Sequence, residues 1–287
     1  MDERPTPRGV LTVIVAASIW GSWSLFLRPS GLPAELTSPL VLLLVGLFSL
    51  ALVRLDTVEP RWDRETLLLL AIHSVCGAVN VGTFFASMAR TTLAIAVLTH
   101  YLAPILVALA TPLVEGHRVP RSIAAALLAT LGLSLVLEPW KEGHPESAFV
   151  GALLGATSAV GYAGSVFAMR RLVGRIGSMR TQGWHALVAA VLLSPLVLRV
   201  DPSVVTARGL GWVVLGAIFP GTLAGLLFLR GLDRIGSARA SILAFFEPMV
   251  AVGLGAIVFH EHLGVVAILG AALIVLGGGL VSVPATD

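Results

Sequence analysis

Ten stretches free of Asp, Glu, Lys and Arg follow one another along the chain, and few folds can hold such a pattern. They occupy 9–27, 36–53, 66–89, 91–114, 122–137, 147–169, 181–198, 209–229, 240–260 (interrupted by Glu247 alone) and 262–286, and they run from 16 to 25 residues. A helix needs about 20 residues to cross roughly 30 Å of hydrocarbon, so each stretch reads as one membrane span. Only 12% of the 287 residues are charged, 56% are apolar and the mean hydropathy is +0.93. A soluble domain carries roughly 25% charged residues. The deficit excludes a soluble enzyme, a disordered chain and a disulfide scaffold, and the lone Cys76 permits neither an intramolecular disulfide nor a CxxC metal site. Continuous apolar runs also exclude a β-barrel, whose strands alternate over about ten residues. The fold expected is an all-α integral membrane protein of ten transmembrane helices, with linkers so short that sequence neighbours pack antiparallel.

The basic residues set the direction. With the N-terminus in the cytoplasm, the inner segments hold 14 of them: Arg4, Arg8, Arg54, Arg61, Arg64, Arg118, Arg121, Arg170, Arg171, Arg175, Arg180, Arg230, Arg234 and Arg239. The outer segments hold 5: Arg28, Arg90, Lys141, Arg199 and Arg208. By the positive-inside rule both termini are expected in the cytoplasm. The pI of about 9.7 therefore reflects membrane loops and not a nucleic-acid partner. The lead MDERPTPR and the 19 uncharged residues after it resemble neither a signal nor a transit peptide, so the first span is expected to remain in a multi-pass protein of the inner membrane.

The chain also repeats. Sliding it by 144 residues lays 88–113 on 232–257 without a gap: Arg90 falls on Arg234, Ala94 on Ala238, Ala96 on Ala240, Tyr101 on Phe245 and Pro104 on Pro248. A shift of 140 lays Ala16, Ser18 and Gly21 on Ala156, Ser158 and Gly161. Two halves of five spans, 1–140 and 141–287, follow. Five is odd, so the second enters the membrane from the opposite side. Inverted repeats characterise secondary transporters, with the substrate site near the midplane between the halves.

Several of these segments resemble a known family. Ser18-Ile19-Trp20-Gly21-Ser22 is similar to the opening signature of the drug/metabolite transporter superfamily, EamA type. Ala89-Arg90-Thr91-Thr92 running into Pro104, and Phe246-Glu247-Pro248 followed by Glu261 and a Gly-rich last span, resemble the ends of its two repeats. The resemblance covers essentially the whole chain. It implies a ten-helix carrier of small metabolites, often an exporter of amino acids or drugs, whose central cavity is surrounded by helices 1, 3, 4, 6, 8 and 9. A Glu-Pro pair in the ninth helix is a frequent feature of that family.

Polar groups inside a membrane are costly and face the bundle interior. In the third span His73, Gly77, Asn80, Thr83 and Ser87 recur at helical spacing on one face, either as a seam between helices or as a cavity wall, with Asn80 near mid-span and His73 nearer the cytoplasmic end. The fourth span carries His100 and Tyr101 one turn before Pro104, which has no N–H for the carbonyl of residue 100. Glu247 is the one acidic residue inside a span. It is a candidate to neutralise a cationic substrate, to carry a coupling proton (a role open to His100 as well), or to accept hydrogen bonds from neighbouring helices. Trp20 and Ser24 share a face of the first span, and Ser158, Tyr162 and Ser165 a face of the sixth. Trp20 lies too deep for an interfacial anchor, the role that suits Trp140 and Trp212. Helix breaks are expected at Pro104, Pro220 and Pro248, and Gly151-xxx-Gly155 and Gly221-xxx-Gly225 read as packing motifs.

The candidate substrate site is thus Trp20, Asn80, His100, Tyr101, Tyr162 and Glu247. No catalytic residue, cofactor or metal is expected: His260-Glu261-His262 sits at a wetted helix end, and no Walker loop, GxSxG elbow or HExxH helix occurs. The function expected is a secondary transporter that moves a small organic metabolite (an amino acid, amine or drug-like cation), by export, as a monomer or weak homodimer in the bilayer. The competing class is a membrane-embedded enzyme acting on a lipid or peptide.

Overall fold

The computed structural model describes residues 6–117, 119–141, 146–260 and 264–282. Arg4, Arg118, Glu261 and His262 lie outside them. Ten helices among the described residues are long and apolar enough to cross a bilayer: α1 (Pro7–Ser30), α2 (Ala34–Ala51), α3 (Arg64–Met88), α4 (Leu93–Val114), α5 (Pro120–Lys141), α6 (Ala148–Ile176), α7 (Ser178–Arg199), α8 (Ala207–Ile235), α9 (Ser237–Val258) and α10 (Val265–Ser282). Several overrun the charge-free intervals. α6 carries Arg170, Arg171 and Arg175 in its last turns, where long side chains can reach water while the backbone stays helical.

Local chemistry fixes where the helices begin. The hydroxyl of Thr6 accepts the Gly9 N–H ahead of Pro7, and Thr92 and Thr206 cap α4 and α8 in the same way. Asp63 caps α3 by accepting the Thr66 N–H at 2.9 Å. That bond, followed by the pairing with Arg175, lowers its carboxyl pKa to about 2. The stabilisation is therefore complete above the ordinary Asp value near ~4 and is lost as pH falls through about 2.

Two turns are made by single glycines. Gly177 (φ 85°) joins α6 to α7, and Gly236 (φ 84°) joins α8 to α9, a backbone region open to glycine at little cost. Gly177 lies against Asp56, whose carboxylate accepts the N–H groups of Met179 (3.0 Å) and Arg180 (3.2 Å) and pairs with the Arg180 guanidinium at 3.3 Å. With its side chain only 4% exposed, Asp56 acts as a charged cap on α7. Asp56→Ala should lower stability by about 2 kcal/mol, the upper end for a cap, because a largely buried guanidinium also loses its partner. Thermal unfolding of the purified protein in detergent measures this.

Long faces pair as α3 with α6, α1 with α8, α2 with α7 and α5 with α10. The set is unchanged when each helix number is shifted by five. The seams are built from small residues. A Cβ on Gly132 of α5 would stand 2.6 Å from the Gly270 carbonyl oxygen of α10, and one on Gly46 of α2 would stand 3.1 Å from the Gly183 carbonyl oxygen of α7. Without a hydrophobic drive between helices in lipid, such close backbone approach supplies the dispersion contact that holds the bundle together.

Four helices deviate near their middles. α1 is interrupted at Gly21-Ser22, α4 at Tyr101-Leu102 and α9 at Ala244-Phe245, while α8 widens into a π-turn over Ala217–Leu223. Pro104 and Pro248 follow their breaks by two to three residues. Pro220, by contrast, sits in a helix that stays closed as a π-turn, so the unwinding considered for this position does not occur. The Gly221 and Thr222 carbonyls there take the side-chain amide of Gln182, at 3.4 and 3.2 Å. At the α4–α9 crossing the Tyr101 and Phe245 rings, which the 144-residue shift superimposes, meet with centroids 5.2 Å apart.

Candidate functional site: a polar-and-aromatic cavity at mid-bundle

The four deviations surround one cavity of about 560 Å³. Trp20, Asn80, His100, Tyr162 and Glu247 all border it. Tyr101 does not. It borders a smaller chamber of about 20 Å³, whose lining also includes His100, Tyr162, Glu247 and Pro104. Pro220 borders the large cavity, and Pro248 borders neither.

Glycine places the first of these groups. A Cβ on Gly21 would lie 2.6 Å from the Glu247 carbonyl oxygen, so the break in α1 rests directly on α9. Trp20, just before it, leans on Phe228 of α8 with centroids 4.7 Å apart. Beyond the break the register rotates, and Trp23 and Leu27 line the cavity where Ser24 was expected to share the face of Trp20.

A polar chain crosses from α3 through α6 to α4. The Ser158 hydroxyl donates to Asn80 Oδ1 (2.7 Å) and lies 3.0 Å from the Asn80 carbonyl, and His100 Nδ1 lies 2.8 Å from the Ser158 oxygen. Both Asn80 oxygens are acceptors, so the single serine hydrogen goes to Asn80. His100 Nδ1 is then the donor to Ser158, and its Nε2 is left as an acceptor. The His100 ring meets Tyr101 and Tyr162 edge-on at 5.2 and 5.8 Å. The Tyr101 hydroxyl is within hydrogen-bonding reach of the Glu247 carboxyl, and the Tyr162 hydroxyl is buried without a partner.

The third-span face divides between its two readings. Ser87 donates to the Gly151 carbonyl at 2.7 Å and belongs to a seam, and Thr83 bonds within its own helix. His73, Gly77 and Asn80 line the cavity. Although nearer the cytoplasmic end, His73 is only 4% exposed, bonded to Ser165 Oγ at 2.6 Å, and stacked on His185 with centroids 3.7 Å apart. Gly77 makes that stack possible, because a Cβ there would run into the His185 ring. Gly77→Ala should therefore expel His185, at a cost of about 1–3 kcal/mol for overpacking. A lowered unfolding temperature together with altered ligand binding would register it.

Spans 2 and 7, absent from the lining that the family resemblance implied, contribute Thr37 and Ser38, and Gln182 and His185. The Gly151 and Gly155 motif packs α6 on Thr91, just ahead of α4, and on Thr99 within it. Among the described residues no three His, Cys, Asp or Glu side chains gather as a metal site.

Known proteins resemble this chain in sequence and fold. Residues 149–283 match the EamA-like transporter family. An uncharacterized inner membrane transporter, YicL, of Salmonella typhimurium is 25% identical over 256 residues, spanning 85% of each chain. The pseudopaline exporter CntI of Pseudomonas aeruginosa is 28% identical over 216 residues, 75% of this chain and 74% of its own. A solved crystal structure superposes with a TM-score of 0.81 over 96% of this chain and 98% of that one, at 24% identity, which carries the fold alone.

Proposed function

Because the chain belongs to the drug/metabolite transporter superfamily, EamA type, and is a multi-pass membrane transporter of small molecules, we propose that it exports a small organic amine, amino acid or drug-like cation by alternating access around the central cavity. The observation that carries this reading is Glu247: the one carboxylate on the cavity wall, set among Trp20, Tyr162 and Phe228. A cation there gains charge neutralisation from the carboxylate and the attraction of ring faces, in a volume typical of small-molecule sites. A lining dominated by apolar carbon suits the body of such a molecule.

Export through the inner membrane is supported by the names of the similar proteins YicL and CntI. Two five-helix halves, 1–140 and 141–287, are supported by helix pairing that survives a shift of five, and by the Tyr101–Phe245 contact between repeat mates. Alternating access is supported by an asymmetry. The cavity lining reaches Leu27, Thr37 and Phe85, near the span ends that the charge split assigns to the outside, and toward the inside it stops at Gln182 in the second turn of α7. The opposite face is tied by Arg170–Glu115, Arg175–Asp63 and Arg180–Asp56. The Ser158–His100 contact does not favour an enzyme, because the serine hydrogen is committed to Asn80.

A thermal-shift screen of the purified protein against amines, amino acids and nucleobases tests the reading. Cationic amines with an apolar or aromatic body should stabilise it in a concentration-dependent way. Stabilisation by anions or neutral nucleobases, with none by amines, would overturn it.

A further inference from the structure

The chamber behind the cavity is too small for any organic substrate and more than a proton requires. Its volume of about 20 Å³ matches a single water-sized body. Its lining is His100, Tyr101, Ala103, Pro104, Tyr162, Ser241, Ala244 and Glu247, with no lysine or arginine. The breaks in α4 and α9, Tyr101-Leu102 and Ala244-Phe245, both abut it. Both tyrosines of the chain border it.

Apart from His100 Nε2, the available donors are oxygens. Glu247 supplies a carboxylate and Tyr162 a hydroxyl that is buried without a partner. Ser241 gives its hydrogen to the Ser237 carbonyl at 2.8 Å, which leaves its lone pairs uncommitted. Pro104 has no N–H to give to the His100 carbonyl four residues back. Broken transporter helices present freed carbonyls to coupling ions in this way. A hard cation takes oxygen ligands of this kind. A divalent ion would leave a net positive charge beside a single carboxylate deep in the bundle, which is costly.

We propose that this chamber binds one sodium ion, ligated by Glu247, the Tyr162 hydroxyl and the freed His100 carbonyl, with Ser241 completing the set. A proton would need only the carboxylate; the unpartnered hydroxyl, the freed carbonyl and the room for one body are what a metal ion uses. Glu247 borders both the chamber and the substrate cavity. One negative charge neutralises one cation, so sodium in the chamber and an ammonium group in the cavity compete. That consequence, unlike the ion site itself, rests on the cationic-substrate reading.

Thermal unfolding of the purified full-length chain in NaCl against KCl at equal ionic strength tests the site, using the metal ion alone. Sodium should raise the unfolding temperature saturably, by a few degrees at concentrations well above its dissociation constant. The sodium-minus-potassium difference should vanish in Glu247→Gln. In Tyr162→Phe, which keeps the ring and removes one ligand, half-saturation should move to several-fold higher sodium. Equal stability of the wild type in the two salts overturns the proposal, and so does a sodium effect that survives Glu247→Gln or one matched by a change in pH at constant sodium. Amine binding is measured in KCl in parallel. Amines that bind without any sodium effect sink the ion site and leave the substrate reading standing, whereas a Glu247-dependent sodium effect without amine binding does the reverse. Where both occur, sodium should shift the amine titration to higher concentration.

Discussion

Replacing Glu247 by glutamine is expected to weaken binding of a cationic amine by about 10- to 100-fold, the loss that accompanies removal of one charge-assisted hydrogen bond of roughly 1.5–3 kcal/mol. Glutamine keeps the size and hydrogen-bonding shape of the side chain, so the Gly21 contact, made to the Glu247 backbone, should persist. An uncharged alcohol with the same skeleton should bind wild type and variant alike. Isothermal titration of both ligands against both proteins separates the charge effect from a packing effect. If Glu247 instead carries a coupling proton, amine affinity should survive the substitution and flux should stop responding to an imposed pH gradient. If neither affinity nor pH-driven flux changes, the residue is structural and both roles fail.

The largest expected loss of stability lies far from the cavity, at the α5–α10 seam. Gly132 and Gly270 each lie on the other's backbone, where no side chain can swing aside. Gly270→Leu must wedge the helices apart, and about 3 kcal/mol, the upper end of overpacking costs in soluble cores, is the minimum expected where backbone is the obstacle. A Cβ on Gly279 of the same helix would meet nothing within 4 Å, and the residue is exposed, so Gly279→Leu supplies the control. Unfolding temperatures in detergent should fall steeply for the first variant and stay within about 1 kcal/mol of wild type for the second.

Spans and central residues were legible in the sequence for a shared physical reason. A bilayer forbids unpaired charge and unpaired backbone, so charge-free intervals fixed the helices and rare polar groups stood out against an apolar background. Glu247, His100 and Asn80 announced themselves in this way. Gln182 and His185 did not, although their i, i+3 spacing in α7 was visible. Both fall in the first two turns after Arg180, where a polar side chain is ordinarily wetted. Only the packing of α7 against Gly77 and Gly225 carries them inward, and that contact is between helices distant in sequence. The Trp20 face does not continue beyond Gly21 because helical periodicity assumes an unbroken axis. Pro220 shows the reverse: a proline that signals a break can be absorbed by a π-turn, here with a neighbouring amide, Gln182, bonded to the Gly221 and Thr222 carbonyls that follow it.

Counterflow in proteoliposomes tests the central claim most directly. Vesicles containing the purified protein are loaded with an unlabelled amine that stabilises it in the thermal screen, then diluted into the same amine at tracer level. Transient accumulation of label above equilibrium is predicted for the wild type, with a strong reduction in Glu247→Gln and none in protein-free vesicles. Label that enters wild-type, Glu247→Gln and empty vesicles at the same rate would contradict the assignment of this cavity as the path of a cationic substrate.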